Sequence, residues 1–124
     1  MTNLERLNDL YNRMAQGQMM EAFDDYYADN VEVVEASGEV RNGKEAQRAA
    51  IQGWQNSIQE MHGGGNGSAM WNESTGETSI ESWFDATFQS GHRAKMEEVA
   101  VQKWKDGKIV HERFYYNIPK ELQG

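Results

Sequence analysis

Residues 80–117 read IESWFDATFQSGHRAKMEEVAVQKWKDGKIVHERFYYN, and the fold follows from the alternation within that stretch. Ile80, Ser82, Phe84, Ala86 and Phe88 alternate with Glu81, Trp83, Asp85, Thr87 and Gln89, which predicts a strand with two distinct faces. Ser90-Gly91-His92 then reads as a turn, and Ala94 to Trp104 as the next strand. Asp106-Gly107 is a strong two-residue hairpin signal leading into a strand over Ile109–Asn117, with Pro119 placed where a strand can stop.

Upstream the period is helical. Thr2 and Glu5 have the spacing of a capping box, followed by a stripe of Leu4, Leu7, Tyr11 and Met14, with Gly17 placed to end the helix. Met19 or Met20, Phe23, Tyr26 and Tyr27 predict a second helix ending near Asp29-Asn30. Val31, Val33 and Val34 favour a strand closed by Ser37-Gly38. Asn42 and Glu45 repeat the capping spacing. Ala46, Ala50, Trp54, Ile58 and Met61 then follow one face of a third helix, which the glycines at 63, 64, 65 and 67 stop as a loop. Helices first and strands last point to an α+β fold in a single domain spanning residues 1–124.

The formal charge of −8 opposes a bare nucleic-acid binder, which needs a basic face to neutralise phosphates. The absence of cysteine excludes a disulfide scaffold, thiolate catalysis and a Cys-ligated zinc site. No apolar run suits a membrane span, and residues 1–16 lack the features of a signal peptide, so the expectation is a cytoplasmic protein with no membrane partner. No two histidines stand at i, i+4, the glycine stretch lacks the Lys-Ser/Thr of a phosphate loop, and there is no G-x-S-x-G elbow. Neither a metal nor another cofactor is expected.

The helix–Gly–helix opening, the join Tyr27-Ala28-Asp29-Asn30-Val31 and the segment Val40-Arg41-Asn42-Gly43-Lys44 resemble the nuclear-transport-factor-2-like superfamily, also called ketosteroid isomerase-like or cystatin-like. The run Val99–Asn117 resembles its SnoaL-like branch, named for a polyketide cyclase. The resemblance covers nearly the whole chain. It implies a cone or half-barrel, with three N-terminal helices packed in the concave face of a curved antiparallel sheet. It further implies an open end that admits a small apolar ligand, and an outer sheet face that pairs two subunits as a homodimer. His111, Arg113 and Tyr115 beside Val99 and Val101 supply a row suited to that face. The fold itself hosts isomerases, cyclases, dehydratases and plain binding modules.

The resemblance puts Glu35 where ketosteroid isomerase keeps its catalytic Asp, and a carboxylate in an apolar cavity is suited to proton transfer beside a carbonyl. The bland alternative for Glu35 is a solvated residue flanking Glu32 and Glu39. The same alignment places Leu10 and Ala100 where that isomerase keeps its two oxyanion donors, which opposes steroid isomerisation by its mechanism. Tyr11, Gln102 and Tyr116 are the substitute donors. If position 100 faces inward, so should Gln102 and Trp104, with Glu112, Phe114 and Tyr116 from the last strand and Trp83 and Asp85 from an earlier one. Asp85 and Glu112 could then divide acid and base roles. The opposite register buries Phe84, Phe88, Val99 and Val101, and one bulge would exchange the two sets. Trp54 and Trp71 are further pocket candidates near the glycine stretch. His62 is expected to end the third helix, His92 to lie in a solvated turn, and His111 on an outer row. The two functions in view are a cofactor-free proton-transfer enzyme on a small carbonyl compound and a non-catalytic ligand-binding or dimerisation module.

Overall fold

The computed structural model describes residues 1–117. Three helices precede or interrupt the strands: α1 (Asn3–Ala15), α2 (Met19–Tyr26), β1 (Tyr27–Val34), β2 (Val40–Asn42), α3 (Lys44–Ser57), β3 (Ile58–Trp71), β4 (Thr78–Phe88), β5 (Arg93–Lys105) and β6 (Lys108–Tyr116). The strands form one six-stranded sheet in the order β2-β1-β6-β5-β4-β3. Every pairing is antiparallel except that of β1 with β6, which is parallel. The α+β fold with helices against a curved, mostly antiparallel sheet is therefore present.

The local signals act as their chemistry dictates. Thr2 and Glu5 close a reciprocal capping box on α1, satisfying two amides that the helix leaves without partners. Asp106 and Gly107 take φ 52° and 77°, the double positive φ of a type I′ hairpin, and join β5 to β6. Leu7, Leu10 and Tyr11 from α1 and Ala22, Phe23 and Tyr26 from α2 pack on Tyr27, Val31, Val33, Ile80 and Ile109 of the sheet. This core fills the closed end of the cone.

Four expectations are corrected. The glycines at 63–67 are not a loop: they lie inside β3, paired with β4 through Gly63↔Asp85, Gly64↔Phe84 and Gly65↔Trp83. Glycine lacks a Cβ, and the Trp83 indole lies in the space this leaves: a Cβ on Gly65 would stand 2.8 Å from Trp83 Nε1. With β3 beginning at Ile58, α3 ends at Ser57, and Ile58, Met61 and His62 belong to the strand, where a His62 ring nitrogen lies 2.7 Å from Thr87 Oγ1. Asn42 does not cap α3. Gly43, at φ 96°, precedes the helix without a side-chain cap, and Ala46 is exposed while Gln47 is the buried residue of the helix. Finally, α2 stops at Tyr26 and β1 starts at once: Tyr27 already has extended backbone and a buried side chain. Pro119 lies outside the described residues.

No helix among the described residues is long and apolar enough to cross a membrane.

Candidate functional site

Helix α3 buries only Gln47, so its Ala50, Ile51 and Trp54 border a space instead of sealing a core. That space is a cavity of about 820 Å³ between the helices and the sheet. Leu10, Met14, Met19, Phe23, Trp54, Phe84, Met96 and Phe114 give it a largely apolar lining, and Tyr11, Tyr27, Glu35, Arg41, Gln47, Glu98 and Tyr116 bring the polar groups. The size and the small polar set are those of a site for a small organic molecule. A second hollow of about 760 Å³ adjoins it, sharing Asn66, Ser82, Trp83, Glu98 and Tyr116, and is also bordered by Glu81, Lys95, Glu97, Val99 and Tyr115.

Parity explains which side chains face in. Ala100 and Gln102 of β5 and Glu112 of β6 are fully buried, and Phe114 and Trp104 pack against the core. In β4 the inward set is Thr78, Ile80, Ser82, Phe84 and Ala86, because Ala100 pairs with Ile80 and Gln102 with Thr78. Trp83 and Asp85 thus do not project into the cavity as expected. Asp85 makes an ion pair with Arg93 at 3.0 Å on the outer face and lines neither hollow. Trp83 lies across the outer side of β3 with Lys95 Nζ 4.8 Å from its ring centre, and touches the cavity only at the shared rim. Inwardness on β5 and β6 therefore came with the β4 residues that the opposite register favoured. Trp71 ends β3 and lines neither hollow.

Glu35 stands one residue beyond β1 and lines the cavity, but both its oxygens are engaged. Arg41 Nη2 donates to Oε1 and the Tyr116 hydroxyl donates to Oε2 at 2.6 Å. Arg41 Nε in turn donates to Gln47 Oε1 at 2.8 Å, which ties the β2 strand to α3. Burial and then the hydrogen bond to Glu35 push the Tyr116 hydroxyl far above its usual range.

Glu98 is the residue that sequence reasoning missed. It lines the cavity, burial raises its pKa above the usual carboxylate value, and Ser82 Oγ donates its one hydrogen bond among the described residues, at 3.3 Å. The signal was available: position 98 shares the parity of 100 and 102. Tyr11 lines the same cavity. Burial chiefly, with the charges of Glu112 and Glu98, holds its hydroxyl protonated well above the usual range, and it makes no hydrogen bond among the described residues.

Gln102, expected as a donor to ligand, is spent elsewhere. Its Nε2 donates to Glu112 Oε2 at 2.8 Å, and its Oε1 accepts from Thr78 Oγ1 at 2.7 Å. Trp104 Nε1 donates to Thr78 Oγ1 at 2.9 Å, and the Tyr27 hydroxyl donates to Glu112 Oε1. Burial pushes Glu112 up to about 7 against the lowering effect of those two donors. Glu112, Gln102 and Trp104 form the wall behind the cavity and do not line it.

Known proteins share this fold. A Mesorhizobium loti protein named for SnoaL-like polyketide cyclases is similar at 36% identity and TM-score 0.83, over 94% of this chain and 100% of that one. A Bacillus subtilis protein named as an isomerase shares the fold at 17% identity and TM-score 0.78, over 94% of this chain and 90% of that one. A cystatin-fold protein of Novosphingobium aromaticivorans does so at 20% identity and TM-score 0.74, over 92% of this chain and 97% of that one. Among curated proteins none matches the sequence. Residues 1–116 match the family described as the SnoaL-like domain, and the chain belongs to that family.

Proposed function

We propose that the protein is a cofactor-free proton-transfer enzyme, of isomerase or cyclase type, acting on a small, mainly apolar carbonyl compound held in the inner cavity. The observation that carries the reading is Glu98: a cavity-lining carboxyl with a raised pKa and a single hydrogen bond among the described residues. A carboxyl raised above its ordinary value is, once ionised, a stronger base and so better suited to take a proton from carbon. Glu98 removes a proton from the carbon beside the carbonyl, and the electron pair moves onto the carbonyl oxygen as an enolate. The Tyr11 hydroxyl donates to that oxygen. Return of the proton to another carbon completes an isomerisation; attack of the enolate carbon on a second carbonyl closes a ring. Glu35 is a weaker candidate for the base than the resemblance implied, since Arg41 and Tyr116 occupy both its oxygens. In this reading it fixes the Tyr116 ring at the rim.

The test is α-proton exchange of 2-tetralone in D2O, followed by proton NMR. Wild type accelerates exchange, and Glu98→Gln lowers the enzymatic rate about 100-fold, while Glu35→Gln keeps most of it. Full exchange by Glu98→Gln with loss in Glu35→Gln returns the base to Glu35 and overturns the assignment. The binding-module reading draws on Leu10 and Ala100, apolar and buried at 2% and 0% exposure where oxyanion donors were looked for. It predicts that ligands carried through purification are recovered chemically unchanged by mass spectrometry, with no exchange catalysed.

The outer face carries the partner proposal. Trp83 and Tyr115 are exposed at 39% and 51%, large aromatic area of the kind that subunit contacts cover. A homodimer through this face has twice the 14.2 kDa chain mass in sedimentation at micromolar concentration; a monomeric mass rejects it.

A further inference from the structure

The buried wall behind the cavity has a direction. Trp104 Nε1 donates to the Thr78 hydroxyl oxygen, and the Thr78 hydroxyl donates to Gln102 Oε1. In this arrangement the Gln102 amide NH2 faces Glu112, and Glu112 Oε2 receives an N–H. The other oxygen, Oε1, is faced by the Tyr27 hydroxyl, the one Glu112 partner among the described residues that can either donate or accept. With Oε2 so engaged, a proton on Glu112 sits on Oε1 and is donated to Tyr27. The Tyr27 hydrogen then turns away from Glu112. Tyr27 lines the cavity, and its hydroxyl lies within electrostatic reach of Tyr11.

We infer that Glu112 and Tyr27 form a proton relay behind the cavity, in which protonation of Glu112 turns the Tyr27 hydroxyl from an acceptor into a donor toward bound ligand. Ionised Glu112 holds the Tyr27 hydrogen and leaves the cavity a lone pair; protonated Glu112 releases that hydrogen to the cavity. Protonation adds one proton from solvent at Glu112 Oε1, where it is donated to Tyr27 Oη, while the Tyr27 hydrogen stays on Oη and rotates from Glu112 toward the cavity. Ionisation returns the added proton to solvent and the Tyr27 hydrogen to Glu112. The groups that act on Glu112 are the hydroxyl of Tyr27 on β1, the amide of Gln102 and the carboxyl of Glu98 on β5, and Glu35 beyond β1. Its own charge is felt by Tyr11 on α1. Burial chiefly, and then the two carboxylates, favour the protonated form, and the two donors the ionised one, so the balance lies at about 7. Tyr27 is in this account a positioning and donor residue, and Glu112 acts through it. The use of the released hydrogen rests on the proton-transfer reading above; the relay itself is measured without substrate.

The experiment is carbon NMR of ligand-free protein labelled at Glu Cδ and Tyr Cζ, titrated from acid to base. The Glu112 resonance, identified by its loss in Glu112→Gln, and the Tyr27 resonance, identified by its loss in Tyr27→Phe, move with one common midpoint. Glu112→Gln abolishes the Tyr27 movement. Thr78→Val, nearly isosteric, frees Gln102 to turn its carbonyl toward Glu112 and raises the Glu112 midpoint by about one pH unit, tenfold in proton affinity. A Tyr27 resonance that stays flat while Glu112 titrates overturns the relay, as does an unmoved midpoint in Thr78→Val. The wild-type titration alone decides the first point should a variant fold poorly. Co-titration that survives while 2-tetralone exchange is absent removes the proposed function and keeps the relay; exchange without co-titration does the reverse.

Discussion

Glu112 makes the stability of the protein depend on pH in the direction opposite to most carboxylates. Its ordinary value is 4.5 and burial in the fold pushes it up to about 7, so the folded state holds the proton more tightly than the unfolded chain. Below pH 4.5 both states are protonated and the group contributes its full relative stability. As pH rises toward about 7 the unfolded chain has released the proton and the folded state has not, and stability is lost, by about 3 kcal/mol at most. Urea denaturation at pH 5 and pH 8 measures this loss. Glu112→Gln keeps the shape without the ionisation, and its loss over the interval is smaller than that of wild type by an amount of that order. Parallel profiles for the two proteins would mean that Glu112 ionises as a surface carboxyl does. At this scale the sequence was half legible. Inward parity on β5 and β6 announced Gln102, Glu112 and Tyr116, and one more step along the same strand would have announced Glu98. The pairing of Glu35 with Arg41 and Tyr116 was not legible, because it joins residues up to 81 positions apart and depends on where three elements meet.

Among the elements, β3 departs most from expectation. Glycine punctuates a sequence and carries no side-chain periodicity, so a run of them reads as loop whatever its backbone does. Here tertiary packing decides: the strand pairs along β4, and the Trp83 indole lies where side chains at 63 and 65 would stand. Gly65→Ala places a Cβ 2.8 Å from Trp83 Nε1, so the ring must shift. The expected cost is about 1–2 kcal/mol in urea denaturation, with near-zero cost when the same change is made in a Trp83→Ala background. An equal cost in both backgrounds would show that Trp83 does not occupy that slot. The other strands were readable because β4, β5 and β6 each bury one face and pair in a meander of short turns, where period two and turn chemistry agree. The helix ends were less so: α2 and α3 run directly into strands, with no intervening loop residues to mark the change.

For the whole molecule, the helices and sheet divide the labour between a packed closed end and an open one. Leu7, Val31 and Ile109 seal the first, while α3 buries only Gln47 and leaves Ala50, Ile51 and Trp54 on the cavity. The cone was legible through element order and family resemblance together; its lining was legible in part, at Tyr11, Glu35, Trp54, Phe114 and Tyr116, and not on β4, because the side of that strand that faces inward is set by pairing across the sheet. The glycines of β3 have a consequence in evolutionary terms. One wall of the cavity is built by backbone at Gly63, Gly64 and Gly65, and a Cβ on Gly64 would already meet the Trp83 carbonyl oxygen at 3.2 Å. That wall offers selection no side chain to vary and little room to add one. Adaptation of this chain to a new ligand is channelled to the lining that the helices supply, Met14, Met19, Ile51 and Trp54, where flexible or broad apolar side chains can be exchanged.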